Sequence, residues 1–431
     1  MAKATARSQR GLDWLNFFTA NVQTGFGPFV VVYLASQEWT ETQIGFALSV
    51  GTFTAMVSQV PAGMLVDATP RKRAAALAAV VAVAASALLL AVWPTTGPVL
   101  VSEVLHGFAS CVLVPAIAAI SLALVGREGL GERLGRNTRF GAIGNGVAAG
   151  VLGAVGAYVS GAAVFWLTAA LCVPALLALA AIRASDLDPP RPAEGERTGA
   201  GGAKDAVRSL LADRGVLVFS ASCALFQLSN AAMLPLAGVE ATRSTGDGAN
   251  LVIAACIVAP QLVLAAISPW VGRLAQRRGR RLALLLGFSA LPVRGLLLAF
   301  AADNPVMLVA VQALDGVSAA ALGVLMPLIA ADLTRGTNRF NTCMGLFGLA
   351  AGLGATLSTV AAGATAEQLG SGVAFAALAG AGVLAVLLVL FAMPETAPKA
   401  EGGRRDPRAA GAARAPGGAD RPGAVVSGRP G

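Results

Sequence analysis

Four side chains carry most of the chemistry open to this chain away from water: Glu103, His106, Arg294 and Asp315, each set inside a long apolar run. A charge within hydrocarbon costs at least about 2.5 to 3.5 kcal/mol, so such groups face a partner or a wet cavity. Glu103 and His106 stand at i, i+3 and share one helix face. An imidazole with a pKa near 6.5 beside a carboxylate raised by burial is suited to proton exchange. The structural alternative is that Asp315 pairs permanently with Arg294, that His106 is a packed ring, and that Glu103 reaches the outer interface.

Uncharged amides form a second set. Asn21 and Gln23 fall in the first apolar run, Gln227 and Asn230 in the seventh. They are candidate contacts for a small solute, or they bond helix to helix, where each bond is worth about 0.6 to 2 kcal/mol.

The elements that must hold these groups follow from composition. Of 431 residues 56% are hydrophobic and 13% charged, with a mean hydropathy of +0.70, well above the roughly 45 to 50% apolar content of soluble domains. The apolar residues fall into runs of the length, about 20 residues, that crosses a bilayer as helix. Twelve spans are expected, at 12–35, 43–66, 74–93, 98–125, 140–161 and 163–182, then 215–238, 249–271, 282–301, 305–331, 341–363 and 371–393. Residues 1–11 form an N-terminal tail, 183–214 a linker ending in a short helix, and 394–431 a basic tail too poor in large apolar residues to fold. Lys3, Arg7 and Arg10 precede a first span too long for a cleaved leader.

Loop charges set the orientation. Arg71, Lys72 and Arg73 follow span two; Arg127, Arg133, Arg136 and Arg139 follow span four; Arg277, Arg278, Arg280 and Arg281 follow span eight; Arg335 and Arg339 follow span ten. The opposite loops carry only Arg243, so both termini are expected to be cytoplasmic in a bacterial inner membrane. The net charge of +9 is thus accounted for by loops and tails, without a nucleic-acid face. The five cysteines lie in spans with no C-x-x-C, which points to free packed thiols and no metal site.

The halves repeat. A shift of 209 residues aligns Asn21 with Asn230, Gly63 with Gly272, Glu103 with Gln312, His106 with Asp315 and Gly107 with Gly316. A parallel repeat of six spans places a solute site near mid-membrane between the halves.

The loop after span two reads Gly63-Met-Leu65-Val-Asp67-Ala-Thr-Pro70-Arg71-Lys72-Arg73. It resembles the G-x-L-x-D-R-x-G-R-R/K motif of the major facilitator superfamily. Gly272-Arg-Leu274-Ala-Gln276-Arg277-Arg278-Gly279-Arg280-Arg281 is a second copy at the matching place, with Gln276 for the acid. The likeness covers about residues 11 to 394.

It implies an all-α membrane fold of twelve helices in two pseudo-symmetric six-helix halves, working as an alternating-access carrier, with spans one, four, seven and ten lining the cavity. It also implies a cytoplasmic gate built on Gly63, Asp67, Arg71, Arg73, Gly272, Arg277 and Arg281. Physically, Gly63 lets helices approach and Asp67 suits a positive helix N-terminus.

Two family features are missing: the arginine of the span-four motif, whose frame here is Glu103-Val-Leu-His106-Gly107, and the Gly-Pro end of the span-five antiporter signature. Gly146-x-x-x-Gly150 and Gly348-x-x-x-Gly352 suggest a moving interface between halves. The expected activity is proton-coupled transport of a small organic molecule, with efflux favoured. Uptake by symport and a non-transporting sensor on the same fold stay open. One histidine, no G-x-x-x-x-G-K-S/T loop and no metal spacing argue against an enzyme, a cofactor or an ATP-driven pump. A monomer acting on small molecules and protons within the lipid bilayer is expected.

Overall fold

A chain solvated by lipid must satisfy its own backbone, which for such apolar runs means helices. The computed structural model describes residues 5–26, 28–187, 203–245, 249–301 and 304–397, and every regular element among them is helical. In the N-terminal half these are α1 (Ala6–Thr24), α2 (Pro28–Ser36), α3 (Glu41–Ala68), α4 (Lys72–Val92), α5 (Thr96–Tyr158) and α6 (Gly161–Ala181). After the short α7 (Ala203–Leu211) come α8 (Arg214–Asn230), α9 (Met233–Thr245), α10 (Ala249–Arg278), α11 (Arg280–Phe288), α12 (Ala290–Ala301), α13 (Pro305–Gln312), α14 (Asp315–Leu333), α15 (Phe340–Leu369) and α16 (Ser371–Ala392).

Among the described residues ten stretches are long and apolar enough to cross a membrane. One of them, α5, has 63 residues, about three bilayer thicknesses at 1.5 Å per residue. Its backbone is interrupted at Gly126 (φ 68°, ψ −177°), a conformation that glycine tolerates without strain. It therefore supplies spans four and five. Span one is the broken pair α1 and α2, interrupted near Gly25 and Pro28. Ten stretches, plus one for α5 and one for the broken pair, give twelve spans.

The basic stretch after Gly126, expected as a loop, is itself helical. Its dense charge is partly offset by pairing: Asp13 of α1 is shared by Arg133 and Arg136 at 2.5 and 2.6 Å. Spans seven, nine and ten are also broken, at Ala231, Ser289 and Ala313, where each linking residue keeps a helical φ/ψ.

Each half has its own core. Leu12, Phe26, Val83, Ile120 and Phe165 belong to one. Phe219, Phe226, Phe288, Val324 and Phe347 belong to the other, with Phe219 edge-on to Phe347 at 4.7 Å. Large apolar side chains such as Phe53, Leu177, Leu262, Phe300 and Phe391 point outward, as a lipid-facing surface requires. All five cysteines are buried and free.

Candidate functional site

Between the halves lies a cavity of about 540 Å³ lined by residues of spans one, four, five, seven, eight, ten and eleven. Asn16, Gln23, Asn137, Asn145, Gln227 and Asn230 give it amide groups, and Ile117, Phe226, Leu322 and Met326 give it apolar walls. None of its lining residues is charged. Gln23, Gln227 and Asn230 of the sequence-selected amides are thus brought together. Asn21 is not among the lining residues: it is buried, donates to the Phe17 carbonyl at 2.9 Å and packs against Gly144.

Asn230 connects the cavity wall to charge. Its Oδ1 accepts from Arg294 at 2.5 Å, and the same guanidinium donates to Asp315 Oδ1 at 2.7 Å and to Gln312 Oε1 at 2.8 Å. Arg294 is 1% exposed on its side chain, whereas Asp315 keeps 27%. Spans seven, nine and ten are tied by this one guanidinium. Its three donations meet the requirement that a buried charge be paired and hydrogen-bonded.

The matching positions of the N-terminal half are built differently. His106 stacks on Phe26 with ring centroids 3.8 Å apart and planes at 12°, and its Nε2 is 3.3 Å from the Ser110 hydroxyl. Glu103 is buried with its carboxylate in the space beside Gly51. Gly107 lets α5 approach so closely that a Cβ there would lie 2.8 Å from the Gly51 carbonyl. Glu103, His106 and Asp315 do not meet in one cluster; Arg294, Asp315 and Asn230 do.

At the end of the bundle that carries the termini, the halves touch. Asp67 accepts four hydrogen bonds from the start of α15: the Asn341 N–H at 3.0 Å and amide at 2.7 Å, and the Thr342 N–H and hydroxyl, both at 2.7 Å. The carboxylate thus caps a helix of the other half, where the orphan N–H groups and dipole favour an anion. A Cβ on Gly63 would overlap the Asn341 carbonyl, and one on Gly272 the Gly131 carbonyl. In the second motif copy Gln276 Oε1 accepts from the Glu132 N–H at 3.1 Å. Arg127 also donates to the Ala331 carbonyl across the halves.

Contact loosens toward the opposite end. A Cβ on Gly352 would find Met56 at 3.9 Å and one on Gly146 would find Gln261 at 4.0 Å, while nothing lies within 4 Å at Gly150 and Gly153. Of the small-residue pairs, only Gly348 is tight, against the Gln59 side chain.

The sequence matches the profile of the Major Facilitator Superfamily over residues 12–291 and 230–417. The chain belongs to the major facilitator superfamily. Two uncharacterized MFS-type transporters of Mycobacterium tuberculosis, Rv2456c and MT2531, are each 38% identical over 397 residues, covering 90% of this chain and 94% of theirs. Two solved structures share its fold. The Escherichia coli fucose:proton symporter FucP has a TM-score of 0.72 at 14% identity, over 88% of this chain and 97% of that one. The human organic anion transporter MFSD10 (TETRAN) has 0.66 at 16%, over 89% and 100%. This superfamily member is accordingly a multi-pass membrane transporter and not an enzyme.

Of the residues expected to form a gate, Gly63 and Gly272 lie where the halves touch. Arg71 and Arg277 are exposed and Arg73 is half-buried, while Arg281 donates to the Leu390 carbonyl. Arg280, absent from the sequence-derived set, is the buried one, donating to Asp332 at 2.9 Å and to the Ala275 carbonyl at 2.8 Å. Sequence reasoning also missed Gln312, whose alignment with Glu103 was a usable signal. Asp13 was legible as a pairing residue, but not its partners Arg133 and Arg136, nor the extension in which Arg133 and Asn137 at i, i+4 are joined at 2.8 Å and Asn137 reaches Ser121 at 2.7 Å.

Proposed function

We propose that this transporter exports a small, uncharged or weakly charged amphipathic organic molecule in exchange for protons, by alternating access, with both termini in the cytoplasm of a bacterial cell. The observation that carries the reading is the Asn230–Arg294–Asp315–Gln312 cluster at the cavity wall. Asp315 Oδ1 is held by Arg294, the side chain is partly accessible, and Oδ2 is the position that takes a proton. Protonation there removes the counter-charge of Arg294, which then leans on Asn230 and Gln312. Because Asn230 also lines the cavity, its amide reports the protonation state to the solute. Such coupling acts only through the solute's different affinity for the two states.

Amide groups on apolar walls without charge support a solute that is mostly apolar with a few polar groups. Closure at the terminal end and looseness at the other support an outward-facing arrangement, held by Asp67. Glu103 and His106 are the second proton-responsive pair in this reading, and they act within their own half.

The test is proteoliposomes loaded with a pH-sensitive dye and given pulses from a panel of neutral amphipathic compounds. Solute entering should drive protons out, and Asp315→Asn should abolish the proton flux while solute exchange persists. Protons moving with the solute would make the protein a symporter. Wild-type solute flux without any proton movement, or flux indifferent to both Asp315→Asn and His106→Gln, would remove the coupling assignment.

A further inference from the structure

The two copies of the loop motif lead into equivalent helices whose first turns are treated differently. In the C-terminal half Glu395, the acid that follows span twelve, closes over the start of α11. Its Oε1 accepts from the Arg280 N–H at 2.8 Å and its Oε2 from the Arg281 N–H at 3.1 Å. In the N-terminal half the acid that follows span six is Asp186, and it is turned elsewhere. It accepts from the Thr5 N–H at 3.3 Å, from the Ser8 hydroxyl at 2.7 Å and from the Thr5 hydroxyl. Those hydroxyls hold its carboxyl below the usual range, so it stays an anion at the start of α1.

The start of α4 is left without an acid, and Arg71 supplies no side-chain cap. Lys72 is engaged with the carbonyls of Val66 and Asp67 at 2.6 and 3.1 Å. Arg73 Nε is buried without a hydrogen-bond partner, and neither Arg71 nor Arg73 has an ion pair among the described residues. Beside them opens a cavity of about 440 Å³, whose mouth is Arg71 to Arg73 and whose wall is Leu77, Ile120 and Leu176. Leu77 is 49% exposed on the outer surface of the bundle.

We propose that this cavity binds an anionic phospholipid, its phosphate at the α4 N-terminus between Arg71 and Arg73 and its first acyl carbons along Leu77 and Leu176. The phosphate takes the place that the Glu395 carboxylate takes in the other half. A helix N-terminus with no acid over its first turn, beside two arginines, is an anion site, and basic residues at a membrane surface select anionic lipid. The apolar wall has no use for a soluble anion or for an acidic segment of chain, and it decides for a lipid.

The experiment is native mass spectrometry of the full chain in detergent, titrated with phosphatidylglycerol, phosphatidylcholine or glycerol phosphate. The wild type should retain phosphatidylglycerol over phosphatidylcholine, and Arg71→Gln with Arg73→Gln should weaken that lipid roughly fivefold per charge, about 25-fold for the pair. Leu176→Trp, which fills the wall with both charges intact, should weaken it as well. Arg139→Gln with Arg278→Gln, removing two exposed charges elsewhere, should leave it unchanged. Equal loss in that control would reduce the effect to general attraction, and equal binding of glycerol phosphate would make the site one for free anions. A preference that emerges only after Glu194→Gln with Glu196→Gln would show that the linker's own acids fill the cavity. Each of these three outcomes overturns the proposal.

Discussion

At matching depths the two halves of this transporter are held by different forces. The C-terminal half ties three spans through one buried guanidinium shared by Asn230, Gln312 and Asp315. The N-terminal half has a ring stacked on Phe26 and a carboxylate packed beside Gly51. The contrast repeats at the closed end. Asp67 makes four bonds to the start of α15, while Gln276, at the same motif position, makes one, to Glu132. Pseudo-symmetry has kept the path of the backbone and not the chemistry. One half joins its spans through a shared charge where the other packs a ring and a carboxylate against its neighbours.

The difference can be broken most severely at Arg294. Arg294→Met removes the counter-charge of the partly accessible Asp315 and the donor to Asn230 and Gln312, and thermal unfolding in detergent should show a loss of about 3 kcal/mol, the low end of the cost of breaking a buried pair. If Asp315→Asn with Arg294→Met restores much of that loss, the cost belongs to the unpaired carboxylate. The next effect is at the latch. Asp67→Ala should weaken closure by about 2 to 3 kcal/mol, the range for hydrogen bonds to a charged group. Spin labels on the ends of spans two and eleven beside Asp67 should then populate longer distances.

Gln276→Ala removes one neutral acceptor and should weaken the facing contact by about 1 kcal/mol, seen with labels on spans five and eight. A larger effect than that of Asp67→Ala would reverse the assignment of strong and weak latches. Smallest is His106→Phe, which preserves the stack on Phe26. It should change stability by less than about 1 kcal/mol, and any larger loss would mean that the Ser110 contact or a charge on the ring matters to folding.

Much of the architecture was legible because hydropathy and loop charge are additive along the chain. Twelve runs and one-sided arginines need no knowledge of packing, and the 209-residue repeat named Asn230 and Asp315 as worth attention. What the repeat does not carry is rotation. A helix turns by about 100° per residue, so a small difference in how a helix docks against its neighbours changes what a side chain meets. Asn21 and Asn230 therefore share a register position, yet one bonds its own helix and the other bonds Arg294. The basic stretch after span four read as a loop because its charges are dense. The partner that offsets part of that charge, Asp13, lies 120 residues from Arg133 in sequence.

By itself, then, the sequence determined the solvent, the number of spans and the family, since each rests on composition or on a motif of adjacent residues. Tertiary structure alone decided the rest: that Arg294 unites Asn230 with Asp315, that Asp67 caps α15 of the other half, and that Glu395 covers α11 while Asp186 leaves α4 bare. Those are pairings between distant segments, fixed by how helices dock and rotate, and no local pattern of residue types encodes them.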